Sequence, residues 1–391
     1  RNLELFWLTE RLKPDFKTIA NFRKNNGPAI RKVCSQFVML CRRLNLFAEA
    51  TVAIDGSKFK AVNNCDKNYT ANKIDRRREQ IEASIERYLS ALETADRQEP
   101  ADFTEAKVRR LKEKIVKLKE QMARLNSIGA DLKETPDQQI SLTDPDARSM
   151  ATSGKGTGMV GYNVQTAVDT KHHLIVAHEV THVGHDRDPL AYRAEQAKSA
   201  IGTTELNVVA DRGHVSSQEI LKCHESGITA FVPKPMTSGA KADGRFDKTD
   251  FIYDAKTDEY QCPAGQRLIW RFSRVENGLN LHRYWSLHCQ QCEIKSKCTP
   301  SEQRRVSRWE HEDILEAMQT RLEQAPDSMR IRRQTVEHPF GTLKAGMGAT
   351  HFLTKKLKNV STEMSLHMLA YNLKRVMNIL GTTTLMEAMV A

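Results

Sequence analysis

The pattern of apolar and polar positions divides the chain into helical and strand-forming regions. Apolar residues recur every three or four positions in residues 1–50 and again from about residue 311, which predicts helices at both ends, the first around residues 5–12. Between these regions, short β-branched or alternating runs predict strands. The predicted strands are residues 51–54, 162–169, 174–180, 206–210 and 228–232, and the predicted helices between the last three are 188–200 and 216–226. This order of elements predicts a mixed α/β sheet.

Two of the predicted strands lead into an aspartate that is followed closely by glycine. Asp55 precedes Gly56, and Asp211 precedes Arg212 and Gly213. One aspartate in such a position is most often a turn residue. The order strand, insertion, two strands, helix, strand, helix, strand is, however, that of the RNase H-like fold, in which the first and fourth strands lie side by side. We therefore expect Asp55 and Asp211 to meet.

The segment 71–135 predicts a charged antiparallel helical hairpin. Its apolar residues follow a coiled-coil-like spacing on both sides of a polar break that contains Pro100. Such a hairpin is usually exposed to solvent without a binding role. The alternatives are that it contacts DNA or a second copy of the chain. The helices of residues 1–50 leave two interpretations open, a plain cap on the core or a small DNA-binding unit.

Charge and composition narrow the class of partner. The 391 residues include 60 Lys and Arg against 49 Asp and Glu, a formal net charge of +11. This excess favours a polyanionic partner, nucleic acid first and an acidic membrane surface second. No apolar run approaches 18 residues and no secretory signal opens the chain, so we expect neither a membrane span nor secretion. The chain begins at Arg1, and we expect a further N-terminal piece before it.

The eight cysteines fit a reducing compartment, in which metal binding is more common than disulfides. Four of them fall within the segment 236–310, which breaks the α/β pattern: Cys262, Cys289, Cys292 and Cys298. One CxxC pair and two single cysteines match thiolate ligation of a structural zinc ion. The alternative is a redox-inert cluster of small residues. The other cysteines, Cys34, Cys41, Cys65 and Cys223, fall in apolar or loop positions and are interpreted as structural.

A third carboxylate is expected in the C-terminal helical region. Arg333, Glu337 and Lys344 are spaced i, i+4 and i+11, within one broad helical face. A glutamate between basic residues is most often part of a surface ion pair. With Asp55 and Asp211 at strand ends, Glu337 becomes a candidate third metal ligand.

The chain resembles the DDE transposases of bacterial insertion sequences, in the branch with the signature Tyr-x2-Arg-x3-Glu-x6-Lys. The matching stretches are residues 53–59, 161–169, 209–213, 336–341, 361–367 and 370–375. The resemblance implies that Asp55, Asp211 and Glu337 form the DDE triad and hold two Mg²⁺ (or Mn²⁺) ions about 4 Å apart. It also implies that Arg333 and Lys344 grip phosphates.

The same resemblance implies partners and a location. The implied partner is double-stranded DNA, both the terminal inverted repeats of the element and the target DNA. The chain is expected to act on that DNA as a homodimer, in the cytoplasm at the nucleoid. The sequence departs from the family pattern in three places. Arg330 stands at the signature tyrosine, His214 stands where an aromatic residue is common after the second aspartate, and no tryptophan follows Lys344. Pro339 lies within the predicted helix of Glu337, where a proline removes a backbone hydrogen bond.

These expectations divide the chain into six parts. They are an N-terminal helical region (1–50), the first part of the catalytic core (51–70), the helical hairpin (71–135), the second part of the core (136–235), the cysteine-containing insertion (236–310) and the C-terminal helical part of the core (311–391). Two alternative functions stay open. One is a non-catalytic or decayed transposase-derived DNA-binding protein, and the other is a structure-specific nuclease of the same fold.

Overall fold

The computed structural model describes residues 10–47, 49–64, 67–96, 102–150, 158–184, 190–214, 216–234 and 239–390. The first predicted helix lies mostly outside these ranges, as does Cys65. The helices are α1 (Phe16–Asn25), α2 (Gly27–Arg43), α3 (Ala71–Asp96), α4 (Asp102–Glu134), α5 (Leu190–Ile201), α6 (Ser217–Glu225), α7 (Glu312–Gln324), α8 (Ser328–Gly341), α9 (Leu357–Leu380) and α10 (Thr382–Val390). The strands of the first half are β1 (Thr51–Lys60), β2 (Asn68–Thr70), β3 (Gln139–Ser141), β4 (Arg148–Met150), β5 (Met159–Asp169), β6 (Ile175–Thr181), β7 (Leu206–Val209) and β8 (Ile228–Phe231). Those of the second half are β9 (Ile252–Asp254), β10 (Glu259–Gln261), β11 (Arg267–Glu276), β12 (Leu279–Trp285) and β13 (Val306–Trp309).

The central sheet has the strand order expected from the sequence. Its order is β4-β5-β1-β7-β8, and β6 pairs with β5. β5 runs antiparallel to β1 and to β6, whereas β1, β7 and β8 run parallel. Without the short β4, the strands lie in the order β6-β5-β1-β7-β8. Numbered along the chain as first to fifth, this order is 3-2-1-4-5. The predicted α/β class with an RNase H-like core is therefore confirmed.

The prediction that the first strand ends before Asp55 is wrong. β1 continues through Asp55 and Gly56 to Lys60, and it pairs with β5 along that length, from Val52 opposite Asp169 to Lys60 opposite Gly161. The close approach of the two strands at this end requires a glycine. A Cβ at Gly161 would lie 2.1 Å from the carbonyl oxygen of Phe59. Backbone pairing with β5 thus overrides the turn preference of Asp-Gly.

Alternation along β1 divides the core between the two faces of the sheet. Val52 and Ile54 belong to a buried cluster that also contains Phe37 and Cys41 of α2. Phe59 belongs to a second cluster on the opposite face, with Phe340 of α8. α2 is thus anchored in the first cluster, whereas α1 has no buried residue.

Two further units are inserted into the core, one between β1 and β4 and the other between β8 and α7. α3 and α4 form the predicted antiparallel hairpin, because Ile74 and Ile128 share a buried cluster at one end and Lys114 lies 5.4 Å from the ring centroid of Tyr88 farther along. β9 to β13 form a separate antiparallel sheet in the order β13-β12-β11-β10-β9. Within the described ranges, no helix is long and apolar enough to cross a membrane.

Candidate active site

Asp55 and Asp211 come together at the junction of two parallel strands, as expected. Ala53 on β1 stands opposite Val209 on β7, so each aspartate follows two residues after the last paired position. One guanidinium nitrogen of Arg332, Nη2, lies 2.8 Å from Asp55 Oδ1 and 3.5 Å from Asp211 Oδ2. The two carboxylates are therefore close enough to share one cationic group.

The turn after β7 fixes the Asp211 carboxylate. Residues Arg212–His214 form a single 3₁₀ turn, and the Gly213 N–H donates a 2.8 Å hydrogen bond to Asp211 Oδ1. A Cβ at position 213 would lie 3.0 Å from the same oxygen, so glycine leaves room for this bond. His214 replaces the aromatic residue common in the resembling family, and its buried ring places Nε2 3.9 Å from Asp211 Oδ1.

Arg332 was not singled out by the sequence analysis. It lies on the face of α8 that packs on the sheet, four residues after Ser328 and three before Thr335, both of which are buried. Its side chain is 15% exposed, which fits an arginine held between two carboxylates rather than one in solvent. The helical spacing of the buried residues could have identified it, because Arg332 lies at the centre of their face, whereas Arg333 lies at its edge and is exposed.

Arg333 and Glu337 lie on the exposed side of α8. Within the part of the chain that the structure describes, neither side chain forms a hydrogen bond or an ion pair. Along the helix, Glu337 lies between Arg332, which contacts Asp55, and Phe340, whose ring centroid is 6.2 Å from that of Phe59 on β1. Glu337 is thus carried by the helix that covers the aspartates, and its role as third ligand stays a prediction.

Lys344 approaches β1 from beyond the end of α8. Its Nζ donates hydrogen bonds to Ser57 Oγ at 2.7 Å and to the Lys58 carbonyl at 3.1 Å, and it lies 4.5 Å from the ring centroid of Phe59. Burial lowers the pKa of Lys344 below its usual range. Ser57 follows Asp55 by two residues and so shares its face of β1. Lys344 therefore extends the basic side of the site along the strand.

The hydrogen-bonding pattern of the helix changes shortly after Pro339. Pro339 is buried inside α8, where it has no N–H to donate to the Thr335 carbonyl. Residues Thr342–Gly346 form one π-helical turn, and the Thr342 N–H donates to the carbonyls of both His338 and Pro339. The π-helical turn carries Lys344, which contacts Ser57 on the sheet.

The aspartate pair fits a divalent cation in its chemistry. Two carboxylates that already share a cationic group supply the hard oxygen ligands that Mg²⁺ prefers. Asp55 and Asp211 are 22% and 44% exposed, so solvent can reach both carboxylates. Across the described ranges, however, no group of three or more His, Cys, Asp or Glu side chains is gathered as a metal site. Arg332 holds the space between the aspartates.

The four cysteines of the 236–310 segment line one cavity beside the second sheet. All four are partly exposed thiols. Cys34 is also partly exposed, whereas Cys41 and Cys223 are buried, and burial raises the pKa of each of these two thiols to about 12, in agreement with a structural role.

Comparison with known proteins connects the C-terminal half of the chain to transposases. Residues 261–377 match a family model described as "Transposase DDE domain". This segment contains the four cysteines, Arg332, Glu337 and Lys344, whereas Asp55 and Asp211 precede it. No curated protein matches the chain. A solved structure, described as a piggyBac transposase synaptic complex with hairpin DNA, aligns with a TM-score of 0.29 and 10% identity, over 94% of this chain and 57% of that one.

Proposed function

We propose that this chain is a DNA transposase of the DDE type, which cleaves DNA strands and joins them to a target. The observation that carries the proposal is the pair Asp55 and Asp211, held side by side on parallel strands of an RNase H-like sheet and covered by α8. The family match to a transposase DDE domain covers α8 and so supports the assignment from the other half of the chain.

In this proposal Asp55, Asp211 and Glu337 hold two Mg²⁺ or Mn²⁺ ions. When bound, such ions activate water or a 3′-hydroxyl and stabilise the leaving oxygen of the phosphodiester. Glu337 joins the aspartates by a rearrangement of α8 on DNA, during which Arg332 releases at least one carboxylate. The freed guanidinium and the exposed Arg333 then bind phosphate oxygens, as planar bidentate donors do.

Lys344 positions the DNA backbone beside the carboxylates. Burial lowers the pKa of Lys344, and a phosphate beside its ammonium would favour the charged form and so oppose this effect. The net charge of +11 adds affinity that does not depend on DNA sequence.

The finer features of the proposal come from the resemblance of the sequence to bacterial insertion-sequence transposases. They are recognition of terminal inverted repeats, action as a homodimer on DNA at the nucleoid, and the signature roles of Arg333, Glu337 and Lys344. The family match covers the signature helix α8 but is shared by DDE enzymes in general, so these features rest on the resemblance alone.

The test is Mg²⁺-dependent cleavage of DNA that carries the element's end sequences, compared with unrelated duplex. We expect Asp55→Asn, Asp211→Asn and Glu337→Gln each to abolish cleavage while DNA binding in a gel-shift assay persists. Glu323→Gln, at an exposed glutamate of α7, is the matched control and should cleave as the wild type does.

Three outcomes would contradict parts of the proposal. Cleavage by any of the three variants removes that residue from the triad. Equal cleavage of unrelated duplex favours a structure-specific nuclease. Binding to the ends without any cleavage by the wild type favours a non-catalytic, decayed copy.

A further inference from the structure

The four cysteines of the second sheet surround a cavity that the proposed DNA chemistry does not use. Cys262, Cys289, Cys292 and Cys298 all line it, although the first is separated from the others by the β11–β12 hairpin. Cys262 and Cys298 also pack against the buried cluster of this sheet, which contains Tyr260. The fold thus gathers thiols from two distant chain segments on one side of a small core.

The backbone around these cysteines is folded into tight turns. The Gly265 N–H donates a 2.8 Å hydrogen bond to the Cys262 carbonyl, and Gly265 has φ of +75°, which favours glycine. The Cys292 N–H approaches the Cys289 carbonyl at 3.4 Å across the CxxC pair, and the Cys298 N–H donates to the Lys295 carbonyl at 2.9 Å. Paired reverse turns that present thiols to one point are the usual scaffold of a structural zinc site.

The cavity wall places the four thiols beside the basic side chains of Lys295 and Arg304. Several thiolates in one cavity repel one another unless a cation neutralises them. A divalent metal ion would do so and would turn this mutual repulsion into ligation.

We propose that Cys262, Cys289, Cys292 and Cys298 together bind one structural Zn²⁺ ion. The four thiols release their protons to solvent as the tetrahedral Zn–S bonds form. The side chains are not yet gathered in coordination geometry within the described part of the chain, so binding involves rotation about their Cα–Cβ bonds. The ion then links the turn after β10 to the strand-free stretch between β12 and β13, which short 3₁₀ turns alone shape.

The first test is the zinc content of the protein purified under reducing conditions from cells supplied with zinc. We expect about one zinc per chain, and well under half an equivalent in Cys289→Ser and Cys292→Ser. Cys34→Ser is the matched control: the Cys34 thiol donates to the Ser365 carbonyl at 3.3 Å, a bond that serine keeps, and this variant should retain its zinc. Asp55→Asn should also retain it, which separates this inference from the proposed catalytic function.

A second measurement uses the wild type alone, so that the proposal stays testable if the cysteine variants fail to fold. Titration with a mercurial thiol reagent should release zinc in step with modification of four thiols, and cobalt added to the metal-free protein should give thiolate charge-transfer absorption. Less than about half an equivalent of zinc in the wild type, or a disulfide between any two of the four cysteines in non-reducing mass spectrometry, would overturn the proposal.

Discussion

Replacing Arg332 tests the central contact of the candidate site. The Arg332 to Asp55 ion pair at 2.8 Å joins side chains that are 15% and 22% exposed, and a charge-assisted hydrogen bond of this kind is worth about 2 kcal/mol. The second contact, to Asp211, is longer at 3.5 Å, and Asp211 is 44% exposed, so screening limits it to about 0.5 kcal/mol. Arg332→Met keeps the aliphatic bulk and removes both contacts. We therefore expect it to lower the free energy of unfolding by about 2–3 kcal/mol in metal-free buffer.

Magnesium should reverse much of this loss. Without Arg332, the two carboxylates face each other with like charge, and a divalent cation relieves the repulsion more than it does in the wild type. The assay is urea unfolding at pH 7, followed by far-ultraviolet circular dichroism, with EDTA or with Mg²⁺. We expect Mg²⁺ to stabilise Arg332→Met more than the wild type.

The matched control is Arg330→Met on the same helix. Arg330 pairs with Asp327 at 3.1 Å, but the two side chains are 66% and 67% exposed. Such a surface pair contributes at most about 0.5 kcal/mol. The reasoning is refuted if Arg332→Met is no less stable than Arg330→Met, or if Mg²⁺ stabilises the wild type and Arg332→Met equally.

Two further predictions concern the strands that position the site. Gly161→Ala should lower the free energy of unfolding by about 3 kcal/mol or more, because its Cβ would lie 2.1 Å from the Phe59 carbonyl oxygen. Among the described residues nothing lies within 4 Å of a Cβ at Gly239, so a change beyond about 0.5 kcal/mol in the control Gly239→Ala would remove the steric explanation. Burial raises the pKa of Asp169 from 3.8 to about 6, so the folded protein keeps a proton that the unfolded chain releases, and the stability this contributes at low pH is lost as pH rises through about 6. The stability of Asp169→Asn relative to the wild type should therefore rise between pH 4 and pH 7 in urea unfolding series, and a constant difference would contradict the assignment.

The strand order could be predicted from the sequence, because the apolar segments of β1, β5, β6, β7 and β8 and the helices between them follow the element order of the RNase H-like fold. The residue at which β1 ends could not be predicted from the sequence. Asp55 and Gly56 have strong turn preferences, and only the partner strand β5, more than a hundred residues later, holds them in an extended conformation. Local propensity loses here to non-local hydrogen bonding, which a single sequence does not display.

The site was predicted in part for a similar reason. Asp55 and Asp211 followed from strand order, whereas the choice between Arg332 and Arg333 depends on the rotation of α8 about its axis. Buried residues such as Thr335 and Phe340 set that rotation. The signature spacing emphasised Arg333 and Glu337, and the structure instead turns Arg332 toward the aspartates. Motif spacing identifies the helix, and packing decides which of its side chains reaches the site.

The shared ion pair of Arg332 also has a consequence for the order in which the protein is made. Asp55 and Asp211 leave the ribosome well before Arg332, and translation from the first aspartate to the arginine takes roughly 15–55 s at ordinary rates. During that interval the parallel pairing of β1 with β7 would bring two uncompensated negative charges together. Without a bound divalent cation, the nascent chain is therefore biased against closing this junction until Arg332 has been synthesised. A polypeptide cut short before α8 would lack this guanidinium, so its junction would depend on a metal ion for charge compensation.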